Sequence, residues 1–300
     1  MFRGSIVALV TPFRNGAVDE ERLRELVEFH IARGTNALLP CGTTGESPTL
    51  SYEEHDRVIQ VVVEQARKRV PVIGGTGSNS TTETLELSEH AMTVGCDAVL
   101  LVAPYYNRPT QEGLFQHFTT VARRISLPII LYNIPGRSAV NIEPETAVRI
   151  AAAASNIAGI KEASGSIEQV SRTIRLLQDA GLDERVAILS GDDSMTFPIM
   201  ALGGTGVISV SANIIPERMR TLCDLMLNGS MEEARRLHFE LYDLNKALFM
   251  ETSPAPVKEA MAMMGMIEPD VRLPLVRVQQ ASAEKLRALL QRYHLIGTGA

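Results

Sequence analysis

The feature of this sequence that most constrains its fold is an alternation of short apolar runs with amphipathic segments, repeated eight times. The runs are rich in β-branched residues and stop at glycine, proline or hydroxyl residues, which is typical of buried parallel strands. The segments between them have the apolar spacing of helices that cover a sheet. The predicted strands are, in order, Ser5 to Val10, Asn36 to Pro40, Val70 to Gly74, Asp97 to Val102, Pro128 to Tyr132, Ile157 to Lys161, Val186 to Leu189 and Gly206 to Val210.

Eight strand–helix units in succession predict an α/β fold, the (β/α)8 or TIM barrel, over residues 1–227. The alternative is an open doubly wound sheet, but that fold normally has fewer strands and a glycine-rich phosphate-binding turn after the first. Beyond this point only helical patterns follow, at 231–249, 256–264 and 282–293. The sequence therefore predicts a C-terminal helical region over residues 228–300, appended to the barrel.

Composition and charge narrow the function further. A chain of 300 residues usually holds two domains, yet α/β barrels reach this size as one. The formal net charge of -6 provides no basic surface for nucleic acid or an anionic membrane. Cys41, Cys96 and Cys223 lie far apart without metal-ligand spacing, which predicts reduced thiols. Since there is neither a signal peptide nor an apolar stretch long enough to cross a bilayer, we expect a cytoplasmic protein.

The catalytic groups of a TIM barrel lie at the C-terminal ends of its strands. At these ends the sequence has Thr11, Thr43, Thr44, Thr76, Tyr105, Tyr106, Tyr132, Arg137, Lys161, Gly191, Asp192, Ser209 and Ser211. The set has no histidine and few carboxylates, so we expect no metal ion and no carboxylate pair for glycoside hydrolysis. Hydroxyls, one lysine and one arginine suit covalent amine catalysis with proton transfer. Each residue also has a purely structural interpretation, and it is their convergence on one face that favours an active site.

Lys161 ends an apolar strand in the stretch I-A-G-I-K-E-A-S-G. Strand alternation places Ile157, Gly159 and Lys161 on one face of the sheet. If that face is buried, the ammonium loses hydration, and the neutral amine becomes accessible near pH 7 and can attack a carbonyl. Taken alone, the segment also fits a lysine that reaches water or pairs with Glu162.

The segments that follow the strands contain recognisable motifs. In chain order they are G-S-I-V-A-L-V-T-P, G-T-T-G-E-S, P-V-I-G-G-T-G, P-Y-Y-N-R-P-T-Q-E-G, L-Y-N-I-P-G-R, G-I-K-E-A-S-G, L-S-G-D-D and G-V-I-S-V-S-A-N. Together they resemble the dihydrodipicolinate synthase branch of the class I Schiff-base pyruvate aldolases, a superfamily that also contains sialic acid lyase. The resemblance covers the whole predicted barrel and is weaker in the C-terminal region, where P-A-P-V-K, ending at Lys258, still fits.

The resemblance implies a lyase that makes the cyclic precursor of diaminopimelate and lysine from pyruvate and aspartate semialdehyde, without a metal ion or organic cofactor. Lys161 would form the Schiff base with pyruvate. Tyr132 would donate and accept protons through Thr43 and Tyr106, the latter reaching in from a neighbouring subunit. The implied substrate-binding positions are Thr44, Ile208, Gly191 and Arg137, of which Arg137 would bind the carboxylate of aspartate semialdehyde.

The resemblance also implies a homo-oligomer, a tetramer built as a dimer of tight dimers, and a feedback site for L-lysine at the tight interface. The matching positions are Ser47, Pro48, His55, Asn79, Glu83 and Tyr105. Tyr52 stands where some lysine-sensitive members have a second histidine, and Pro48 where others have alanine. These two departures leave lysine inhibition open.

Two other functions remain compatible with the sequence. An aldolase for a sugar-derived keto acid, similar to sialic acid lyase, would use the same lysine, but it needs hydroxyl-binding residues where this chain has Arg137. A catalytically silent barrel could bind a keto acid as a sensor. A sensor has no need of the complete set of relay residues, which this sequence retains.

Overall fold

The computed structural model describes residues 2–297, and its strands and helices follow the predicted alternation. The strands are β1 (Gly4–Ala8), β2 (Phe13–Arg14), β3 (Ala17–Val18), β4 (Ala37–Leu39), β5 (Ile73–Gly75), β6 (Ala98–Val102), β7 (Ile129–Asn133), β8 (Ile157–Glu162), β9 (Ala187–Ser190) and β10 (Gly206–Ser209). The helices are α1 (Glu20–Ala32), α2 (Tyr52–Ala66), α3 (Thr81–Val94), α4 (Gln111–Arg124), α5 (Pro135–Ser138), α6 (Pro144–Ala153), α7 (Ile167–Asp179), α8 (Thr196–Ala201), α9 (Pro216–Leu227), α10 (Met231–Ala247), α11 (Ala255–Met263) and α12 (Gln280–Arg292).

All strands except β2 and β3 form one parallel sheet in the order β4-β1-β10-β9-β8-β7-β6-β5. The outer strands β4 and β5 are joined by a parallel bridge between Leu38 and Val72. The Gly75 N–H also donates to the Pro40 carbonyl at 3.0 Å. These contacts close the sheet, which confirms the predicted (β/α)8 barrel and excludes the open doubly wound sheet.

The barrel strands are buried on both faces, as parallel strands between helices must be. Their outward side chains pack with the helices into one large cluster that includes Val7, Leu131 and Ile160. The inward side chains form a second cluster: Ile6, Ala8, Ala37, Leu39, Ile73, Ala98, Leu100, Ile130, Tyr132, Ala187, Leu189 and Ile208. Because Lys161 is in register with Tyr132 on one side and Leu189 on the other, it lies on the inward face, as strand alternation predicts. The prediction that Ile157 shares this face is wrong: Ile157 packs in the outward cluster, because the register between β7 and β8 shifts after Ile129.

The helices that follow the barrel are present where the sequence predicts them. Helix α10 packs against α9 and α12, and α12 packs against α11. The division of the chain at residue 228 stays a prediction. Within residues 2–297, no helix combines the length and the apolar character needed to cross a bilayer. The three cysteines are buried free thiols, in agreement with the expectation from their spacing.

One small element was not predicted, the antiparallel hairpin formed by β2 and β3. Its turn residues are Asn15 and Gly16, which have φ values of 54° and 81°. Asn-Gly between two short strands is the strongest local signal for a two-residue hairpin. The signal was therefore present in the sequence. The hairpin places Phe13, a fully buried side chain, beneath the C-terminal residues described below.

Candidate active site

Lys161 lies near the C-terminal end of β8, and its side chain is only 5% exposed. Its Nζ lies 3.9 Å from the centre of the Tyr132 ring, on the adjacent strand β7. Within residues 2–297, Nζ makes neither a hydrogen bond nor an ion pair with a side chain. Strand pairing on both sides holds the backbone at this position. The structure thus presents a buried primary amine that is not neutralised by a direct carboxylate partner.

Burial lowers the pKa of Lys161 to about 7, because the ammonium has lost its hydration. The carboxylate of Asp193 opposes this shift, and the positive charge of Arg137 adds to it. A lysine with this pKa is partly neutral at physiological pH, which is the form that attacks a carbonyl. The alternative of a solvated lysine, or of one paired with Glu162, is wrong. Glu162 instead accepts hydrogen bonds from Asn133, Gln169 and the Ser164 N–H.

Asp193, which follows β9, was not predicted to belong to the site. Its carboxylate is buried and accepts hydrogen bonds from the Ser209 hydroxyl and from the backbone N–H groups of Val210 (3.0 Å) and Ser211 (2.9 Å). Burial raises the pKa of Asp193, and the Ser209 and Ser211 hydrogen bonds oppose that shift. The sequence signal was an acidic residue after one strand and two serines after the next. Adjacent strands bring such residues together at the same end of the sheet.

Tyr132 is buried among the inward side chains of the barrel. Burial raises the pKa of its phenol to about 12, while the Thr43 side chain and the charge of Arg137 act in the opposite direction. Tyr132 is thus a neutral phenol, and it lines the same cavity as Thr43. Such a pair can pass a proton to or from a group bound beside Lys161.

A cavity of about 240 Å³ opens at the C-terminal ends of β4 to β7. Of the predicted catalytic and substrate-binding residues, Thr43, Tyr132 and Arg137 line it. Arg137 belongs to the single helical turn α5 and is exposed, and its guanidinium donates to the Ser253 carbonyl at 3.3 Å. The structure therefore brings the Thr43 hydroxyl, the Tyr132 phenol and the exposed Arg137 guanidinium to one cavity.

The remaining predicted substrate-binding residues lie outside the lining of this cavity. Thr44 is buried in the turn Thr43–Gly45, and Ile208 is buried inside the barrel. Gly191 is close to the lysine, since a Cβ at this position would lie 3.2 Å from Lys161 Cε. A side chain at position 191 would compete with Lys161 for space, which explains physically why this position favours glycine. Lys161 itself lies below the cavity, against Tyr132.

Tyr106 stands apart from the other predicted relay residues. Its side chain is 89% exposed, and its backbone is left-handed, with a φ of 69°. The neighbouring Asn107 anchors this loop, because its side-chain amide donates to the Asn79 carbonyl at 2.8 Å. Within one chain, therefore, the Tyr106 hydroxyl does not join Thr43 and Tyr132, and the relay is incomplete.

A second cavity, of about 450 Å³, borders the first. All six predicted allosteric residues line it: Ser47, Pro48, His55, Asn79, Glu83 and Tyr105. The Glu83 carboxylate accepts hydrogen bonds from the hydroxyls of Tyr52 and Ser78, and these bonds lower its pKa. The same bond with Glu83 raises the pKa of Tyr52 to about 12.

The two cavities share part of their walls. Ser47, Pro48, Gly77 and Tyr105 line both of them. His55 lies at the base of the second cavity, where its Nε2 contacts the Gly75 carbonyl at 2.9 Å. A molecule bound in the second cavity would therefore touch residues that also face the first.

Comparison with known proteins agrees with this geometry. Residues 1–293 match the model of the dihydrodipicolinate synthetase family. The 4-hydroxy-tetrahydrodipicolinate synthase of Citrifermentans bemidjiense is 57% identical over 99% of this chain and 100% of its own length. The crystal structure of dihydrodipicolinate synthase from Aquifex aeolicus is 48% identical and has a TM-score of 0.96, over 99% of this chain and 100% of its own.

Two further similar structures contain ligands. The enzyme from Acinetobacter baumannii, complexed with pyruvate, has a TM-score of 0.94 at 44% identity, over 99% of this chain and 100% of its own. The enzyme from Cyanidioschyzon merolae, with lysine bound, has a TM-score of 0.93 at 37% identity, over 98% of this chain and 99% of its own. From the full-length match and the site geometry together, this chain belongs to the dihydrodipicolinate synthetase family.

Proposed function

We propose that this enzyme condenses pyruvate with L-aspartate 4-semialdehyde through a Schiff base on Lys161 and releases 4-hydroxy-tetrahydrodipicolinate. The observation that carries the proposal is the buried Lys161 amine, which lies against Tyr132 without a carboxylate in direct contact. Family membership supports the choice of both substrates. The pyruvate complex of a relative supports the first of them.

The chemistry follows from a neutral amine next to a phenol. Lys161 attacks the keto carbon of pyruvate, and loss of water leaves an iminium. The iminium withdraws electrons, so the methyl group loses a proton and an enamine forms. The enamine carbon attacks the aldehyde carbon of aspartate semialdehyde. The amino group of that substrate then attacks the imine carbon and displaces the Lys161 amine, which closes the ring.

Tyr132 and Thr43 are the groups we propose for proton transfer in these steps. The phenol is neutral and buried, so it can donate a proton to a departing oxygen and recover it from a nearby carbon acid. Thr44, Gly191 and Ile208 would hold pyruvate beside the amine. All three are absent from the lining of the open cavity, and Gly191 leaves room beside Lys161 Cε, which fits the smaller substrate.

Arg137 is the proposed binding group for the carboxylate of aspartate semialdehyde. It lines the same cavity as Tyr132, and among the described residues its guanidinium makes one hydrogen bond, to the Ser253 carbonyl at 3.3 Å. Guanidinium and carboxylate form paired, charge-assisted hydrogen bonds. A sugar-acid aldolase would gain little from a cation there, because its aldehyde is a neutral polyol. Arg137 thus favours the synthase over the sialic acid lyase-like alternative.

Borohydride reduction in the presence of pyruvate, followed by peptide mass spectrometry, tests the proposal. We expect one pyruvate adduct per chain, on Lys161. An adduct on another lysine, or none, contradicts the mechanism. A panel of aldehydes assayed with pyruvate then separates the alternatives: a preference for a polyhydroxy aldehyde would indicate the sugar-acid aldolase. The absence of turnover with every aldehyde would indicate the keto-acid sensor.

We further propose a homo-oligomer, a tetramer arranged as a dimer of tight dimers, in which Tyr106 completes the relay of a neighbouring subunit. Its exposure on a loop anchored by Asn107 supports a role outside its own chain. Tyr106→Phe should lower turnover while sedimentation shows an unchanged assembly. A fully active monomer would remove the shared site from the mechanism.

The second cavity is our proposed site for feedback by L-lysine. Glu83 is charged and could receive the ligand ammonium, and Asn79 and Tyr105 could bind its carboxylate. The Tyr52 hydroxyl already donates to Glu83, so Tyr52 provides a hydrogen-bonding group where some relatives have histidine, but its ring narrows the cavity. We expect lysine to lower the initial rate and Glu83→Ala to abolish the effect. A flat response at millimolar lysine would mean that the cavity is vestigial.

Location in the cytoplasm stays a prediction.

A further inference from the structure

The turn that carries Thr43 and Thr44 has an unfavourable backbone on both sides. Cys41 before it and Glu46 after it are left-handed, with φ values of 54° and 56°. A side chain with a Cβ rarely adopts this conformation, because the Cβ crowds the carbonyl oxygen. Within the turn, local bonds such as Glu46 N–H to the Thr43 carbonyl are 3.2 Å long. Contacts from outside the turn add to these local bonds at Glu46.

These contacts come from the C-terminal part of the chain. Lys258, on α11, places Nζ 2.6 Å from a Glu46 carboxylate oxygen, and both side chains are fully buried. The second carboxylate oxygen accepts from the Arg272 N–H at 3.0 Å. Burial lowers the pKa of Lys258, and the Glu46 carboxylate opposes that shift. Both oxygens of Glu46 are thus fixed by residues more than 200 positions away in the sequence.

Arg272 extends this contact beyond Glu46. Its guanidinium makes two hydrogen bonds, of 2.5 and 2.6 Å, to Glu54 in the first turn of α2. It also donates to the Thr49 carbonyl at 3.0 Å. The Lys258 ammonium and the Arg272 guanidinium lie 4.2 and 4.4 Å from the centre of the Phe13 ring. The segment from Glu46 to Glu54 is therefore held at both ends by two cations that share one aromatic support.

We infer that the Glu46–Lys258 pair is a positioning device for the Thr43–Thr44 turn, and hence for pyruvate binding and proton transfer at Lys161. The inference rests on the proposed function, since it assigns a purpose to the turn within that reaction. The pair touches no substrate and acts through the backbone of the turn. It makes the geometry of the active site depend on the C-terminal helices.

Four variants test this: Glu46→Gln, Lys258→Met, the double variant Glu46→Gln/Lys258→Met, and the control Glu259→Gln. Glu259 is the neighbour of Lys258 on α11 and pairs with Arg277, away from the turn. A displacement of about 1 Å at a reacting group can cost roughly 100-fold in rate. We expect kcat/KM for pyruvate to fall by about that factor in the first three variants. The KM for aspartate semialdehyde should stay unchanged, as should all constants of Glu259→Gln.

The double variant separates positioning from stability. It leaves no unpaired buried charge, so its Tm should recover relative to Lys258→Met, while kcat/KM for pyruvate stays low. All assays are run at a temperature where circular dichroism shows every variant folded. Wild-type kinetics for pyruvate in any folded variant without the pair, or equal losses for both substrates, would overturn the inference. Borohydride labelling of the wild-type enzyme runs in parallel: its failure overturns the proposed function, and this inference with it.

Discussion

Two lysine side chains are buried within residues 2–297, Lys161 in the barrel and Lys258 in the C-terminal helices, and they differ in what faces the ammonium. Lys161 lies over the ring of Tyr132, and no carboxylate of the part of the chain that the structure describes forms an ion pair with it. Lys258 lies over the ring of Phe13 and has the Glu46 carboxylate at 2.6 Å. Burial lowers the pKa of both. Burial alone, therefore, does not make a lysine a nucleophile, because a direct anionic partner keeps the ammonium charged and its lone pair unavailable.

The largest expected effect separates the two lysines by reactivity. Lys161→Met should lower turnover by a factor on the order of 10⁴ or more, since it removes the covalent nucleophile. Pyruvate and borohydride should then label no residue. Lys258→Met should still be labelled, and only at Lys161. Peptide mass spectrometry of both variants provides the measurement, and a pyruvate adduct on Lys258 in the Lys161→Met variant would contradict this distinction.

The next largest effect concerns the hydroxyl of Tyr132, the aromatic residue beside Lys161. Tyr132→Phe keeps the ring under Lys161 but removes the hydroxyl, so turnover should fall by about 10²- to 10⁴-fold, as expected for loss of an acid–base group. Borohydride trapping at Lys161 should persist. Steady-state kinetics and labelling together check this. The proton-transfer role is wrong if Tyr132→Phe turns over normally.

Stability should change in opposite directions at the two sites. Lys258→Met leaves Glu46 buried without its partner, so the free energy of unfolding should fall by about 3–5 kcal/mol. At Lys161, burial moves the pKa from 10.5 to about 7. The folded chain thus binds fewer protons than the unfolded chain between these pH values. Burial of the Lys161 ammonium therefore lowers the free energy of unfolding by its full amount below about pH 7. This loss of stability disappears as the pH rises towards 10.5.

Lys161→Met should therefore raise the free energy of unfolding at neutral pH, by an amount on the order of 4–5 kcal/mol for a pKa that moves from 10.5 to about 7 at 1.36 kcal/mol per pKa unit. Urea unfolding of both variants, with the double variant Glu46→Gln/Lys258→Met as the control, measures the contrast. A loss of stability in Lys161→Met would show that the amine is paired in the folded protein.

The smallest effect is the pH dependence of Schiff-base formation. The trapping rate with pyruvate should rise about tenfold per pH unit below pH 7 and level off above it, as the Lys161 amine loses its proton. Arg137→Gln should move the midpoint upwards, because the Arg137 charge helps to lower this pKa. A wild-type midpoint near that of a solvated lysine would contradict the buried, unpaired amine.

Much of the fold could be predicted, because each barrel strand is a short local run whose burial on both faces leaves a continuous apolar signal. Lys161 was predictable for the same reason, since a charge at the end of such a run is conspicuous. The face it shares with Gly159 followed from strand alternation and is confirmed by the register of β7, β8 and β9. The six residues of the second cavity were assigned by resemblance, and the structure groups them.

The parts that escaped prediction depend on contacts between distant segments. Lys258 lies on an ordinary helical pattern, and its partner Glu46 is 212 positions away. Asp193 gains its importance from hydrogen-bond donors on the next strand unit, at Ser209 and Ser211. The helical turn α5 spans only Pro135–Ser138, too short for a periodic signal. Sequence patterns indicate which residues are buried, but the partners of a buried charge are seen only in the folded structure, where distant segments meet.

The closure of the barrel has a consequence for its local stability. The seam joins β4 and β5, strands of three residues each, through one bridge and a few backbone hydrogen bonds. The strand that carries Lys161 has six residues and is paired on both sides. Segments with few backbone contacts open at lower free energy than the core. The Thr43–Gly45 turn begins just beyond the seam, whereas Lys161 belongs to a strand that is held on both sides.

Partial opening of the molecule should therefore dismantle the two halves of the active site separately. As β4 and β5 part, Thr43 leaves Tyr132, while β7, β8 and β9 keep Lys161 in place. Such a form would keep the buried amine but would have lost the turn that helps to hold pyruvate and to move protons. Under mild denaturation, catalysis would therefore fail while Lys161 was still buried in an intact part of the sheet.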